Sequence, residues 1–378
     1  MDFELTEEHL ELQRVVREVA ERECPPTLVR AVLAGDDDAR AFWKTLVQLD
    51  LPGLTVAPDD GGSGATAVEL VISLEELGRV ADPTPFLATS SQYVPLVREA
   101  FPAGDARRAL LGPACTGGTG TAAFAADTVR ARSDGDGWVL DGTTRFVLDG
   151  DRADEVAVVA TTPDGGEGAV GVFVVPGPDV AAERSPAFDG TLHVAEARFD
   201  GVRVAPERAA TGPDVALAVA RAREEAVTGM AASTVGASQR VLDLVIDHVK
   251  DRRQFGVPIG SFQAVKHMAV DVFVAIARAR ALCHFAALTI AEDDDRRTAA
   301  ASMAKAAAGD CQRITARTGV QLYGGLGFTW ENDLQIYVRR AKAGELLLGS
   351  SASHRAAVAR WALAGRPRAG TDRSEASA

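Results

Sequence analysis

The spacing of apolar residues changes character twice along the chain, and each change predicts a domain boundary. Through residue 112 the pattern is helical: Leu10, Leu12, Val15, Val16 and Val19 recur on one face, as in an amphipathic helix. Thr6 can cap that helix, and Glu7 and Glu8 in its first turn suit the positive end of the helix dipole. A second short helix is predicted over 39–50 around Phe42, Trp43 and Leu46, before Pro52-Gly53 and Asp60-Gly61-Gly62 interrupt the chain. Thr66-Ala67-Val68-Glu69 has the form of a capping box. It opens an apolar helix ending near Leu77-Gly78, with Pro83 and Pro85 as stops.

From 113 to 210 the period falls to two, and valine, aspartate and glycine dominate. Trp138-Val139-Leu140, then Asp141-Gly142, then Thr144-Arg145-Phe146-Val147-Leu148 predicts a hairpin turning at Asp141-Gly142. Further strands are predicted over 155–160, 170–175, 192–199 and 202–204, with Pro163-Asp164-Gly165-Gly166 and Gly201 as turns. Without an intervening helical segment, the expectation is an antiparallel sheet or barrel.

The pattern is helical again from 211 to 365. One long helix is predicted over 215–254, with Ala232, Ser233, Gly236 and Ala237 small enough for close contact. Others are predicted from Ser261, as a plausible cap, to 290, from 297 to 323 with a stop at Gly324-Gly325, and from 332 to 348. Antiparallel helices of this length predict a four-helix bundle. Residues 366–378 read as a disordered tail. The fold class is therefore α+β and multidomain: an N-terminal helical domain, a central antiparallel β domain and a C-terminal four-helix bundle. At 378 residues the chain exceeds the usual single-core size.

Charge narrows the function. A net charge of −13 argues against nucleic acid or anionic membranes as partners. Met1-Asp2-Phe3-Glu4 lacks the features of a signal peptide, and no apolar run of about 18 residues is evident. The four cysteines, Cys24, Cys115, Cys283 and Cys311, are dispersed without a CxxC pair, as expected of reduced thiols in a cytoplasmic protein. The six histidines show no metal-binding spacing, so no metal is expected.

Several segments, in this order, resemble the acyl-CoA dehydrogenase family. Asp2-Phe3-Glu4-Leu5-Thr6-Glu7-Glu8 resembles its start, and Leu74-Glu75-Glu76-Leu77-Gly78-Arg79 its N-terminal domain. Asp251-Arg252-Arg253-Gln254-Phe255-Gly256 with Phe262-Gln263-Ala264-Val265-Lys266-His267 is the strongest match. Gln321-Leu322-Tyr323-Gly324-Gly325-Leu326-Gly327-Phe328 resembles its Q-x-x-G-G-x-G-F signature. Pro258-Ile259 and Phe328-Thr329-Trp330-Glu331 are similar to an actinobacterial-type branch. The resemblance implies FAD as cofactor, an acyl-CoA thioester as substrate, electron-transfer flavoprotein as electron acceptor, and a homo- or hetero-oligomer. It also implies that Arg252 meets the pyrophosphate of a neighbouring subunit's FAD, since a guanidinium is permanently charged and bidentate toward phosphate. Phe255, Gln263, Gln321, Gly324 and Gly325 would line that nucleotide, and Phe146 would stack near the chain's own isoalloxazine. Without the resemblance, Arg252 could equally pair with Asp251 or Glu331.

The sequence departs from the family at the base. Leu348, in Leu347-Leu348-Gly349-Ser350, stands where the family carries its glutamate. A second subgroup carries the base on the long helix. Counting back from Phe255 gives Ala226, and a shift of one residue gives Glu225, the best candidate. Glu225 could also belong to a solvated face with Arg221, Arg223 and Glu224, and Glu345 is a further candidate. The stretch Ala122-Ala123-Phe124-Ala125-Ala126-Asp127-Thr128 replaces the family's flavin loop without its glycine-serine pair, and Leu148 replaces a flavin-binding hydroxyl. Three readings stay open: a flavin-dependent acyl-CoA dehydrogenase; a half-site subunit completing FAD binding in a heteromer; or a protein of this fold with altered chemistry.

Overall fold

The computed structural model describes residues 4–162, 166 and 168–364. The expected tail, Asp2-Phe3 and Pro163-Asp164-Gly165 lie outside the described residues.

The N-terminal helices begin as their caps dictate. Thr6 Oγ1 accepts from His9 N–H, and His9 Nδ1 accepts from Thr6 N–H, so a histidine closes the capping box of α1 (Glu7–Glu23). Next come α2 (Pro26–Ala34) and α3 (Arg40–Gln48). At α4 (Ala67–Arg79) the box is Thr66 with Glu69, whose Oε2 accepts from Thr66 N–H at 2.9 Å. α4 ends before Pro83 and Pro85, as expected, but helical structure resumes directly after them. They lead into α5 (Phe86–Ala88), a π-helical turn over Thr89–Tyr93 and α6 (Val94–Ala100), nearly all of it buried. Then α7 (Asp105–Cys115) leads to the sheet.

The strands are β1 (Gly120–Ala123), β2 (Val129–Asp134), β3 (Gly137–Leu148), β4 (Glu155–Thr161), β5 (Val170–Pro176), β6 (Ala181–Arg184), β7 (Val194–Val204) and β8 (Ala209–Ala210). Their order is β6-β7-β3-β2-β4-β5-β8, with β1 beside β4. The sheet is mixed, not antiparallel throughout: β1 runs parallel to β4, as does a single β2–β4 bridge. The buried π-helical turn packs on β1, with Thr89 Oγ1 donating to Gly120 O at 3.2 Å.

The hairpin expected at Asp141-Gly142 is not there. Residues 137–148 form one strand, and the β2–β3 turn lies at Gly135-Asp136 instead. Gly201 likewise sits inside β7. The two glycines share one irregularity: Leu140 pairs with Val202 and Asp141 with Asp200, which leaves Gly201 as the extra residue of a bulge. Gly201 has φ +65°, and its N–H donates to Asp141 Oδ1 at 2.8 Å. A Cβ on Gly142 would collide with Thr128 O. Positive φ and close approach thus explain both glycines without a chain reversal.

The 37-residue α8 (Val215–Asp251) crosses α4 where Gly78 meets Ser233 and Gly236 meets Glu75, both approaches barred to any Cβ. A two-residue hairpin, β9 (Arg253–Gln254) with β10 (Val257–Pro258), leads to α9 (Gln263–Ala291) and α10 (Arg297–Tyr323). Phe262, not Ser261, occupies the cap of α9, because Ser261 Oγ donates to Pro258 O. The expected fourth helix is α11 (Leu334–Leu346), and a further helix, α12 (Ser351–Ala364), follows it without having been expected. Contrary to expectation, α9 is long and apolar enough to cross a membrane by length and composition, with one-third of that stretch buried. Here Val272, Ile276, Ala279 and Cys283 are buried in the bundle, whereas Val270, Phe273 and Val274 are exposed.

His284 on α9 carries a pH signature. Burial, then nearby Arg280, pull its pKa from 6.5 to about 4. Between these values the unfolded chain binds a proton that the folded chain refuses. Stability is therefore lost as pH falls from 6.5 to about 4. In urea titrations across this window, the midpoint of His284→Gln should fall less steeply than that of the parent chain. Equal slopes would assign the loss to other groups.

Candidate functional site

The ends of α8 and α10 meet around one large cavity. Arg252 terminates α8 with extended backbone, and Phe255 and Gly256, at φ +54° and +81°, reverse the chain in the β9–β10 hairpin. This leaves Phe255 91% exposed. Gly324 stops α10 at φ +60°, and Cβ atoms on Gly324 and Gly325 would meet open space. Arg252, Gln254, Phe255, Phe262, Gln321, Tyr323, Gly324 and Gly325 are among the residues lining a cavity of 810 Å³.

Its electrostatics suit an anion with a flat ring. Arg252 forms no ion pair among the described residues, with Asp251 or Glu331 or any other carboxylate. Beside it, His248 stacks on Tyr323 with ring centroids 4.2 Å apart. Burial, then Arg252, lower the His248 pKa, so the ring is a neutral platform. The pair is fixed by Tyr323 O–H donating to Leu244 O at 3.0 Å. Sequence reasoning missed both rings. The signal was present, since His248 lies one turn before Arg252 and Tyr323 precedes Gly324.

Two expected residues fall outside this lining. Gln263 is exposed at the start of α9, between Phe262 and Val265, which do line it. Phe146 lies on β3 at φ +61°, 74% exposed, where Arg145 and Phe146 face the single Glu196 on β7. Nearby, Leu148 is buried, and its carbonyl accepts from Thr121 O–H.

Glu225 is placed elsewhere. It is 3% exposed, and Arg98 of α6 donates to its Oε2 at 2.7 Å. Its Oε1 is buried without a hydrogen bond. Burial of one charge beside another is tolerable only while both remain, so this carboxylate is not the solvated face that its neighbours suggested.

Around Leu348 the structure reveals a polar cluster. Leu348 has φ +58° and Gly349 φ +106°. The buried Lys305 of α10 spans this loop, donating to Glu345 O at 2.9 Å and Gly349 O at 2.8 Å. Burial pulls its pKa to about 8. His354 Nε2 meets Leu348 O at 3.0 Å, and Glu345 is taken up by Lys342 at 2.7 Å. The sequence signal was a lone lysine in the run Ala304-Lys305-Ala306-Ala307-Ala308.

Comparison with known proteins gives these features a context. The family described as "Acyl-CoA dehydrogenase, N-terminal domain" matches residues 6–117, and "Acyl-CoA dehydrogenase, C-terminal domain" matches residues 217–363. Acyl-CoA dehydrogenase IpdE2 of Mycolicibacterium smegmatis is 30% identical over 91% of this chain and 96% of its own. A chain in the ChsE4-ChsE5 complex of Mycobacterium tuberculosis is 26% identical with a TM-score of 0.87, covering 97% of this chain and all of that one. A chain in a structure of the electron transferring flavoprotein of Acidaminococcus fermentans has a TM-score of 0.88 at 26% identity, covering 96% of this chain.

Proposed function

The chain belongs to the acyl-CoA dehydrogenase family, and we propose that it serves the FAD-dependent oxidation of an acyl-CoA thioester between Cα and Cβ. The single observation that carries this reading is the cavity joining Arg252, Phe255, Gln321, Gly324 and Gly325. Its residues fit FAD. Arg252, without an ion pair among the described residues, is a bidentate cation for the pyrophosphate. The two glycines let a nucleotide approach the backbone, and Phe255 with the His248–Tyr323 pair offers flat surfaces. Bound FAD supplies the hydride acceptor. Because Phe255 projects outward, the nucleotide on these residues belongs to a site shared with a second subunit, in a homo- or hetero-oligomer. Gln263 and Phe146 would join it at the rim and from the sheet. Electron-transfer flavoprotein is the proposed electron acceptor, and the cytoplasm the proposed compartment.

Glu225 is the proposed base for the α proton. To act, its carboxylate must exchange Arg98 for substrate. A second reading is favoured by that same ion pair and by Leu348, which has no proton to exchange. In it, the chain is a half-site subunit, and the base comes from a glutamate-bearing partner, as a heteromer such as ChsE4-ChsE5 would allow. Glu225→Gln separates the two. With Glu225 as base, turnover falls by about 10²–10⁴-fold while flavin content stays at the parent level. Turnover unchanged in steady-state assays removes Glu225 from the chemistry and assigns the base to the partner.

A further inference from the structure

Glu225 does not hold its cation alone. Arg98 Nη2, which donates to Glu225 Oε2 at 2.7 Å, also donates to Glu99 Oε1 at 3.2 Å. Arg98 Nε points at that same oxygen from 3.4 Å. One guanidinium thus serves two carboxylates, one beside it on α6 and one across the contact with α8. Its remaining contact, to Thr55 O, is 3.5 Å long. No other cation pairs with Glu225 or Glu99 among the described residues. Nearby charges on α8 are taken elsewhere, Arg221 by Asp293 and Glu224 by Arg297.

The sharing is unequal. The Glu225 side chain is 4% exposed and that of Glu99 23%. A carboxylate cut off from water depends on its counterion, whereas one that keeps water can do without. Yet the fork leans toward Glu99, with two N–H groups facing its Oε1 against one for Glu225. Both are longer than the about 2.7–2.9 Å of a formed charge-assisted bond, so a move of about half an ångström would complete them. Glu225 Oε1, meanwhile, is buried without a partner. One turn along α8, a Cβ on Gly229 would collide with Ser91 of the π-helical turn. That close approach seats α6, which follows the turn directly, against α8.

We propose that Glu99 is a positioning residue, which takes Arg98 over from Glu225 when the thioester enters and so frees the buried carboxylate for the α proton. This inference rests on the reading of Glu225 as the base. Glu99 acts through Arg98 and touches neither substrate nor flavin. Without it, release of Glu225 strands the guanidinium, whose side chain is only 22% exposed, with no carboxylate to receive it. That cost holds the Arg98–Glu225 pair shut. The hand-over is needed only in the reacting complex, so its loss falls on kcat and spares KM.

The test is a double-mutant cycle in steady-state kinetics on the full-length chain with FAD. The substrate is whichever of butyryl-, octanoyl- and palmitoyl-CoA the parent chain oxidises fastest. Glu99→Gln should lower kcat roughly tenfold, the worth of one charge-assisted contact, with KM and flavin content unchanged. Glu99→Asp keeps the charge and should recover part of that rate. In an Arg98→Gln background no guanidinium is left to hand over, so Glu99→Gln should change nothing further. Parent kcat in Glu99→Gln, or the same loss in both backgrounds, would overturn the proposal. If Arg98→Gln fails to fold, the kcat of Glu99→Gln alone decides. Glu225→Gln keeps the two readings apart. A large loss there, with Glu99→Gln at the parent rate, sinks the hand-over and leaves the base in place. Unchanged turnover in Glu225→Gln, or a parent chain that oxidises none of the three thioesters, overturns both.

Discussion

Replacing Arg340 with methionine should lower the free energy of unfolding by about 3–5 kcal/mol, the range expected when one partner of a buried charge pair is removed. Arg340 is 3% exposed on α11. It donates to the carbonyl of Asp82, between α4 and α5 of the N-terminal helices, and lies 3.2 Å from Asp189 of the β region. Asp82 is itself buried, and desolvation raises its pKa to about 6 although Thr84 donates to it twice. Asp189 accepts from the backbone and hydroxyl of Thr191. Close by, Arg152 holds Asp149 and donates to Pro83 O. One guanidinium thus joins all three parts of the chain. Methionine matches its bulk but leaves the buried carboxylate of Asp189 without its cation and the Asp82 carbonyl without its donor. Urea unfolding followed by circular dichroism measures the loss; a change below about 1 kcal/mol, the size of an exposed pair, would mean that Arg340 is not a joint.

Arg252→Gln should weaken FAD binding by roughly 10- to 100-fold without lowering stability. Arg252 is exposed, and no carboxylate among the described residues pairs with it, so its removal breaks none of the ion pairs described. What it removes is a charge-assisted contact to phosphate, worth about 1.5–3 kcal/mol. Arg252→Lys keeps the charge, loses the fork, and should fall between the two. Flavin fluorescence on titration gives the affinities, and thermal melting without added flavin gives the stability control. Equal affinity in parent chain and Arg252→Gln would detach the cavity from the cofactor.

The parts of this molecule legible in its sequence are those written locally. Apolar period, caps and the glycines that stop α10 place the long helices within a few residues, and the Thr66–Glu69 box opens α4 as expected. The cavity residues were legible because a helix end and the turn after it carry them on short, contiguous segments. What failed depended on distant partners. Gly142 and Gly201 carry turn signals, yet a positive φ or a close approach is needed equally in a bulge, and only the pairing of β3 with β7 decides between them. Pro83 and Pro85 obscured the π-helical segment because proline at the first turn of a helix is tolerated. The partner of Glu225 is 127 residues away, and the carbonyl that Arg340 meets is 258 residues away. No local pattern announces either contact, so a buried carboxylate read as a solvated face.

The central claim is that Arg252, Phe255 and Gly324-Gly325 hold a flavin at a boundary between subunits. Sedimentation velocity of the full-length chain with FAD, followed at the flavin absorbance, tests it most directly. The claim requires flavin to travel only with species larger than one chain, and to be released from them by Arg252→Gln. Flavin sedimenting with the single chain, or retained by the assembled Arg252→Gln variant, would contradict it.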